Sequence, residues 1–326
     1  MYLLRLNYSD ATAVYDRFRF GFTLPASLNF EDWIRSAPAW AEWEAEVDEK
    51  GRPAVKFGPH DTGKVVVCYC VETGRGYVSG GLQSFCHGHN SGPFQFAEAE
   101  AALVALTKAL LLPADALRVH RLETGATVPT GEAPTAFLAR IARANYGSKQ
   151  KPFTGKTAPA NATSTLEFEA VLSQYRIKIY DKGTYNRLKN KPLPPGPTGN
   201  GFRFEIDYRK AEKLAAVLGW QGTVTAAHLM QPAVFSQLAN TLLQSWRNIH
   251  MPSTVNLPDL SIDERALLIA GSEPEFWKDA KRNTPEATYK RKRALFHRLQ
   301  KQQAAVGSPT PYTADLERAI STALPE

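Results

Sequence analysis

An α+β fold is predicted for this 326-residue chain: a largely antiparallel sheet with flanking helices, followed by an all-helical C-terminal region. Three observations predict it. Segments alternating apolar and polar residues, the period-2 mark of strands, recur up to about residue 210 and almost vanish afterwards. Helical patterns fall among them without the regular strand–helix alternation of a parallel βαβ series. Residues 148–163 (SKQKPFTGKTAPANAT) and 189–201 (KNKPLPPGPTGNG) read as linkers, because Pro and Gly at that density suit neither a helix nor an inner strand.

Strand-like runs cover residues 2–7, 64–72, 76–86, 117–128, 164–168, 176–180 and 202–208. The stretch 96–112 (FAEAEAALVALTKALLL) is rich in strong helix formers and stops at Pro113. A weaker helical pattern covers 134–146. Beyond residue 210, helices are expected at 210–218, 233–249, 262–270, 274–281, 284–303 and 314–324. The chain therefore divides into an α+β core over 1–215 and a helical, basic region over 216–326.

Charge follows the same division. Residues 1–140 hold 13 Lys+Arg and 16 Asp+Glu, a net of −3, whereas residues 141–326 hold 26 and 16, a net of +10. A basic second part suits a polyanion such as nucleic acid, and it equally suits an ordinary solvated surface. No apolar run approaches the ~20 residues of a membrane helix. The N-terminus lacks the basic, apolar and small-residue pattern of a secretion leader. Three cysteines do not suggest a disulfide framework. A soluble, cytoplasmic chain with no membrane partner is expected.

Five clusters can carry chemistry. In Cys86-His87-Gly88-His89-Asn90, a continued strand would put His87 and His89 on one face with Cβ atoms roughly 6–7 Å apart, close enough to share a divalent metal. The same residues also suit a turn. Cys68-Tyr69-Cys70 reads as two core cysteines better than as a zinc knuckle. Glu123, in Arg121-Leu122-Glu123, is either a third metal ligand or a residue on the polar face of a strand. In Tyr175-Arg-Ile-Lys-Ile-Tyr-Asp-Lys182, Ile177 and Ile179 share one face, while Arg176, Lys178, Tyr180 and Lys182 share the other. A tyrosine with a lysine two residues on has the parts for nucleophilic attack on phosphate, although tyrosine favours strands in any case. Arg203, Glu205 and Asp207 share a strand face, for ion pairing or for positioning a nucleophile and metal. Last, residues 289–298 (YKRKRALFHR) place Lys290, Arg291, Lys292, Arg293 and Arg298 on one helix among aromatic residues, which suits phosphate contact or solvation.

In order and spacing these blocks resemble the gene II replication initiators of filamentous bacteriophages and related plasmid and satellite-phage initiators. The resemblance rests on Cys86-His-Gly-His-Asn-Ser-Gly92, Arg121-Leu-Glu123, Ile177-Lys-Ile-Tyr-Asp-Lys182, Gly201-Phe-Arg-Phe-Glu205 and the basic helix 291–298. It spans residues 60–300. It implies an HUH-type rolling-circle nickase with a Rep-like core. Such an enzyme cuts one strand of double-stranded origin DNA through a 5′-phosphotyrosine, using Mg²⁺ or Mn²⁺. It leaves a 3′-OH primer for host helicase and polymerase, then rejoins the ends. Carried onto this chain, Tyr180 matches the nucleophile and Lys182 its basic companion. His89 matches the fixed histidine, with His87 and Glu123 as further metal ligands. Lys149, Lys151, Lys178, Arg203, Lys290, Arg291, Lys292, Arg293 and Arg298 are the expected DNA contacts. Two departures stand out: Glu123 replaces the commoner Asp, and Gly88 replaces the bulky hydrophobe usual between the histidines. A tyrosine recombinase is disfavoured, because none of the seven histidines has Arg at +3.

Overall fold

A computed structural model describes residues 15–24, 32–33, 36, 44–47, 53–57, 65–70, 73–90, 94–131, 133–156, 167–193, 198–251, 260–271, 274–305 and 312–324. The expected strand at 2–7 lies outside the described residues, as do 157–163 and 194–197 of the two linkers.

The elements in chain order are β1 (Tyr15–Thr23), β2 (Glu44–Val47), β3 (Pro53–Phe57), β4 (Val65–Cys70), β5 (Arg75–Gly81), α1 (Leu82–His87), α2 (Phe96–Leu110), β6 (Arg118–Pro129), α3 (Thr135–Ile141), β7 (Asn145–Tyr146), β8 (Lys151–Pro152), β9 (Thr154–Gly155), β10 (Glu167–Val171), β11 (Tyr175–Asp181), α4 (Lys182–Leu188) and β12 (Gly201–Tyr208). Then follow α5 (Ala211–Val217), α6 (Ala226–Leu229), α7 (Pro232–Arg247), β13 (Ile249–His250), α8 (Ile262–Gly271), α9 (Pro274–Asn283), α10 (Glu286–Ala305) and α11 (Thr313–Ala323). The expected α+β class is what the chain adopts. Ten strands form one sheet in the order β2-β3-β4-β5-β1-β6-β12-β11-β10-β9, and neighbouring strands pair antiparallel throughout. A small second sheet, β13-β7-β8, puts structure into the first expected linker.

Alternation gives the central strands two chemically opposite faces. Phe202, Phe204 and Ile206 of β12, Ile177 and Ile179 of β11, and Leu122, Ala126 and Val128 of β6 enter one apolar core. Helices cover that face. Trp246 of α7 stacks on Phe202 at 5.4 Å and meets Phe204 edge-on at 5.1 Å, and Phe235 of α7 meets Tyr15 at 5.2 Å. The other face carries the charged residues of the same strands.

Two boundaries differ from the sequence reading. The strand expected over 76–86 stops at Gly81, and residues 82–87 coil into α1, burying Leu82 and Phe85 at helical spacing. The division near residue 215 does not separate two cores either. Leu214, Phe235, Trp246, Leu316 and Ile320 belong to the same core as the sheet, whereas α8, α9 and α10 gather around a separate small core of Leu268, Phe296 and Leu299. No helix among the described residues is long and apolar enough to cross a membrane.

Candidate active site

Antiparallel register turns the charged alternation of three strands into a ladder. Tyr180 of β11 stands opposite Arg203 of β12, which stands opposite Thr127 of β6. The next row is Lys178, Glu205 and Gly125, and the third is Arg176, Asp207 and Glu123. Like charges adjoin in places, Glu205 beside Asp207 along β12 and Asp207 opposite Glu123, but Arg121, Arg176, Lys178 and Arg203 give each carboxylate a cation within reach. Gly125 is the gap in the ladder. A Cβ there would lie 2.7 Å from Glu205 Cγ and 2.9 Å from the carbonyl oxygen of Phe204, so the missing side chain makes the room in which Glu205 lies.

β1 completes the cluster through a bulge. Tyr15 pairs with Thr124 and Phe18 with Leu122, so two residues, Asp16 and Arg17, face the single residue Glu123. The buried Asp16 accepts a bond from Arg203 Nη2 at 2.9 Å. Arg203 also donates to Glu205 through Nε at 2.7 Å and to Thr127 through Nη1 at 3.0 Å. Lys178 donates to Glu123 at 3.0 Å and ion-pairs with Glu205. Arg121 binds Asp207 with Nε and Nη2 at 2.7 and 2.9 Å, and Arg176 spans Asp207 and Glu169.

Tyr180 and Lys182 meet this cluster at the end of β11. The Tyr180 hydroxyl donates to Glu205 Oε1 at 3.0 Å. Burial, reinforced by the neighbouring Glu205 anion, holds the Tyr180 phenol well above its ordinary pKa, so it stays protonated at neutral pH. Burial alone would raise the Glu205 carboxyl, but Lys178 and Arg203 outweigh it and hold that carboxyl well below the usual range. Glu123, with less cationic help, is pushed up by burial and by its carboxylate neighbours. Lys182 is fully buried. Burial and then the Arg203 charge bring its ammonium down to about 7. Its Nζ donates to Asn90 Oδ1 at 3.0 Å and lies 5.9 Å from the centre of the Tyr180 ring. Between them, Asp181 caps α4 by accepting from the Thr184 backbone N–H at 2.8 Å, which fixes where β11 turns into helix.

The histidine block is built differently from the strand expected of it. His87 ends α1, Gly88 takes a left-handed conformation with φ 75°, and His89 lies in the following bend. The two rings are 6.1 Å apart between centroids. His87 Nε2 lies 3.2 Å from Glu98 Oε1 in the first turn of α2, and the ring meets Phe94 edge-on. Asn90, next to His89, is the residue of this block that reaches Lys182.

Tyr180, Lys182, Lys178, Arg203 and Glu123 are thus gathered in one network. Lys178 and Arg203 correct an expectation: both are buried and paired with carboxylates, so they balance charge inside the sheet and present none to DNA. Lys149 and Lys151 are exposed around the β7–β8 turn. Lys290, Arg291, Lys292, Arg293 and Arg298 are exposed on α10. Sequence reasoning missed Asp16, and it placed Asn90 in the histidine cluster without giving it a role of its own. The alternation of Phe18, Phe20 and Phe22 marks β1, but the bulge at Asp16–Arg17 breaks the period where the candidate carboxylate lies.

Asp16, Glu123 and Glu205 form a buried acidic triad able to hold a metal ion, each offering a carboxylate oxygen within 4.8 Å of the others. Hard oxygen donors of this kind suit Mg²⁺ or Mn²⁺. Glu205 Oε2 is held by Lys178 in an ion pair, so a cation on the triad would share this oxygen with the Lys178 ammonium. Compared with known proteins, the chain matches no family model and no curated protein.

Proposed function

We propose that this chain is a rolling-circle DNA replication initiator that nicks one strand of its origin and rejoins it, with Tyr180 as nucleophile. The observation that supports this most is the meeting of two sequence blocks 92 residues apart, through the bond from Lys182 to Asn90. That bond ties the His-Gly-His-Asn loop to the end of the strand that carries Tyr180, whose hydroxyl is bonded to a carboxylate.

The chemistry is a transesterification. The Tyr180 oxygen forms a bond to phosphorus and the bond from phosphorus to the 3′ oxygen breaks. The neutral amine of Lys182, whose Nζ lies 5.9 Å from the centre of the Tyr180 ring, takes the phenolic proton, and the ammonium so formed protonates the departing 3′ oxygen. A group titrating near 7 can give that proton up and take it back when the ends are rejoined. The phosphotyrosine keeps the energy of the broken bond, so rejoining needs no nucleotide cofactor. Mg²⁺ or Mn²⁺ on Asp16, Glu123 and Glu205 would supply charge stabilisation at the scissile phosphate. Host helicase and polymerase would then use the 3′-OH primer.

A second reading, a DNA-binding protein without catalysis, is favoured by one observation. Tyr180 is only 9% exposed, and its partners already neutralise the cluster. Incubating the protein and Mg²⁺ or Mn²⁺ with a supercoiled plasmid carrying the replicon's own origin separates the two readings. Nicked circles with protein covalently attached, lost in Tyr180→Phe, are expected of the initiator. DNA binding without nick or adduct would leave the second reading.

A further inference from the structure

Residues 262–305 stand apart from the sheet. α8, α9 and α10 follow one another closely: α8 ends at Gly271 and α9 begins at Pro274, and α9 ends at Asn283 and α10 begins at Glu286. Their apolar residues serve one another. Leu268, Phe296 and Leu299 are buried together, with Leu260, Leu267, Trp277 and Leu295 packed around them. Trp277 of α9 meets the Phe296 ring of α10 at 5.3 Å and donates its indole N–H to the Gly271 carbonyl at 2.7 Å. The three helices are tightly joined at that point, since a Cβ on Gly271 would lie 2.6 Å from the Phe296 ring.

The opposite side of α10 has no such packing. This 20-residue helix carries six Lys+Arg against one Glu. Phe296 and Leu299 point inward; Arg291 and Arg298, seven residues apart, share a side away from them, Arg293 is exposed, and the exposed Lys292 lies on the line of Phe296 and Leu299, one turn before their packing begins. Lys290 pairs with Glu286 at 2.7 Å and Arg293 donates to the Tyr289 hydroxyl at 2.9 Å. Among the described residues, Arg291, Lys292 and Arg298 make no ion pair. Lys281 and Arg282, at the end of α9, are exposed beside the start of α10.

We infer that α8–α10 form a DNA-holding head separate from the cutting face, and that α10 seats its basic side in the major groove of duplex DNA; the inference rests on the DNA reading proposed above. A helix of this length spans ~30 Å, and the major groove of B-form DNA, ~12 Å wide, admits a single helix. Free guanidinium groups on the outer side meet phosphates on either wall of the groove, and α9 ends in two further cations that reach the backbone. The buried cations of the sheet cannot do this, because carboxylates already hold them.

The test uses the full-length chain and measures binding by fluorescence anisotropy to a duplex of about 30 base pairs and to the matching single strand, between ~50 and ~200 mM salt. For the triple variant R291Q/K292Q/R298Q, duplex affinity is expected to fall at least tenfold. The slope of log affinity against log salt should shrink by roughly 2 to 3, near 0.9 per lost phosphate contact. Single-strand affinity should fall less. Replacement by lysine, R291K/R298K, keeps the charges and is expected to keep the wild-type slope, which separates charge loss from a folding defect. An unchanged duplex slope in the triple variant, or equal losses on duplex and single strand, overturns the inference. So does wild-type binding to a structured RNA of the same length, measured alongside, that is tighter than its binding to the duplex. The covalent adduct is scored on the wild-type preparation. If wild type forms no adduct while duplex binding still depends on the three charges, the nicking reading fails and this inference stands.

Discussion

The charged face of the sheet and the outer side of α10 use the same cationic residues to opposite ends. On the sheet, Lys178 and Arg203 are buried, and each touches two carboxylates. On α10, Arg291, Lys292 and Arg298 are exposed and make no ion pair among the described residues. A cation in the first setting has its charge cancelled within a few ångströms and contributes to the position of its neighbours. In the second it is available to an outside polyanion. Net charge therefore says little about where a polyanion could bind. What decides is whether the strand register or the helix packing has already supplied a counter-charge.

Substitutions separate the two regions, and the largest effect is expected at Arg203. Arg203→Met takes from Asp16 its ion-pair partner and leaves Glu205 with Lys178 alone, and breaking a buried pair this way costs about 3–5 kcal/mol. A urea melt of the variant measures it, and a loss no larger than that of Arg291→Met would break the comparison. Next is Gly125→Ala. Its Cβ would press on Glu205 Cγ and the Phe204 carbonyl, so overpacking of about 1–3 kcal/mol is expected, together with displacement of the bond that Tyr180 makes to Glu205. The same melt, paired with adduct yield, reads both consequences.

Lys182 sharpens the comparison through pH. Its folded pKa is near 7 against an ordinary value of 10.5. Between those values the unfolded chain holds a proton that the folded chain has released, so stability rises with pH across that window. The burial penalty is fully present below pH 7 and is relieved by about pH 10.5. Lys182→Met is expected to raise the melting temperature at pH 7 and flatten the rise seen in the parent between pH 7 and 10. A variant that keeps the parent's slope would place the titration elsewhere. The smallest effect belongs to α10: Arg291→Gln should change stability by no more than about 0.5 kcal/mol, as surface substitutions generally do.

Much of this was legible in the sequence, for identifiable reasons. β11 and β12 alternate strictly, so their polar faces, and with them Tyr180, Lys178, Arg203, Glu205 and Asp207, could be grouped before any register was known. The α2 boundary was marked by Pro113 and the strong helix formers before it. Three features were hidden. The bulge in β1 shifts the period by one residue at Asp16, so the strand and its carboxylate escaped a period-2 reading. α1 is only six residues long, and six residues of Leu-Gln-Ser-Phe-Cys-His do not distinguish strand from helix by pattern alone. Burial of Lys178 and Arg203 depends on neighbours from β1 and β6, which lie 50 or more residues away in the chain and which local pattern cannot supply.

The central claim is that Tyr180 attacks the scissile phosphate, and mass spectrometry of the covalent complex tests it most directly. After nuclease and protease digestion of protein trapped on origin DNA, a residual nucleotide is expected on the peptide containing Tyr180. Its absence from that peptide, or its presence on Tyr185 or Tyr175, would contradict the account.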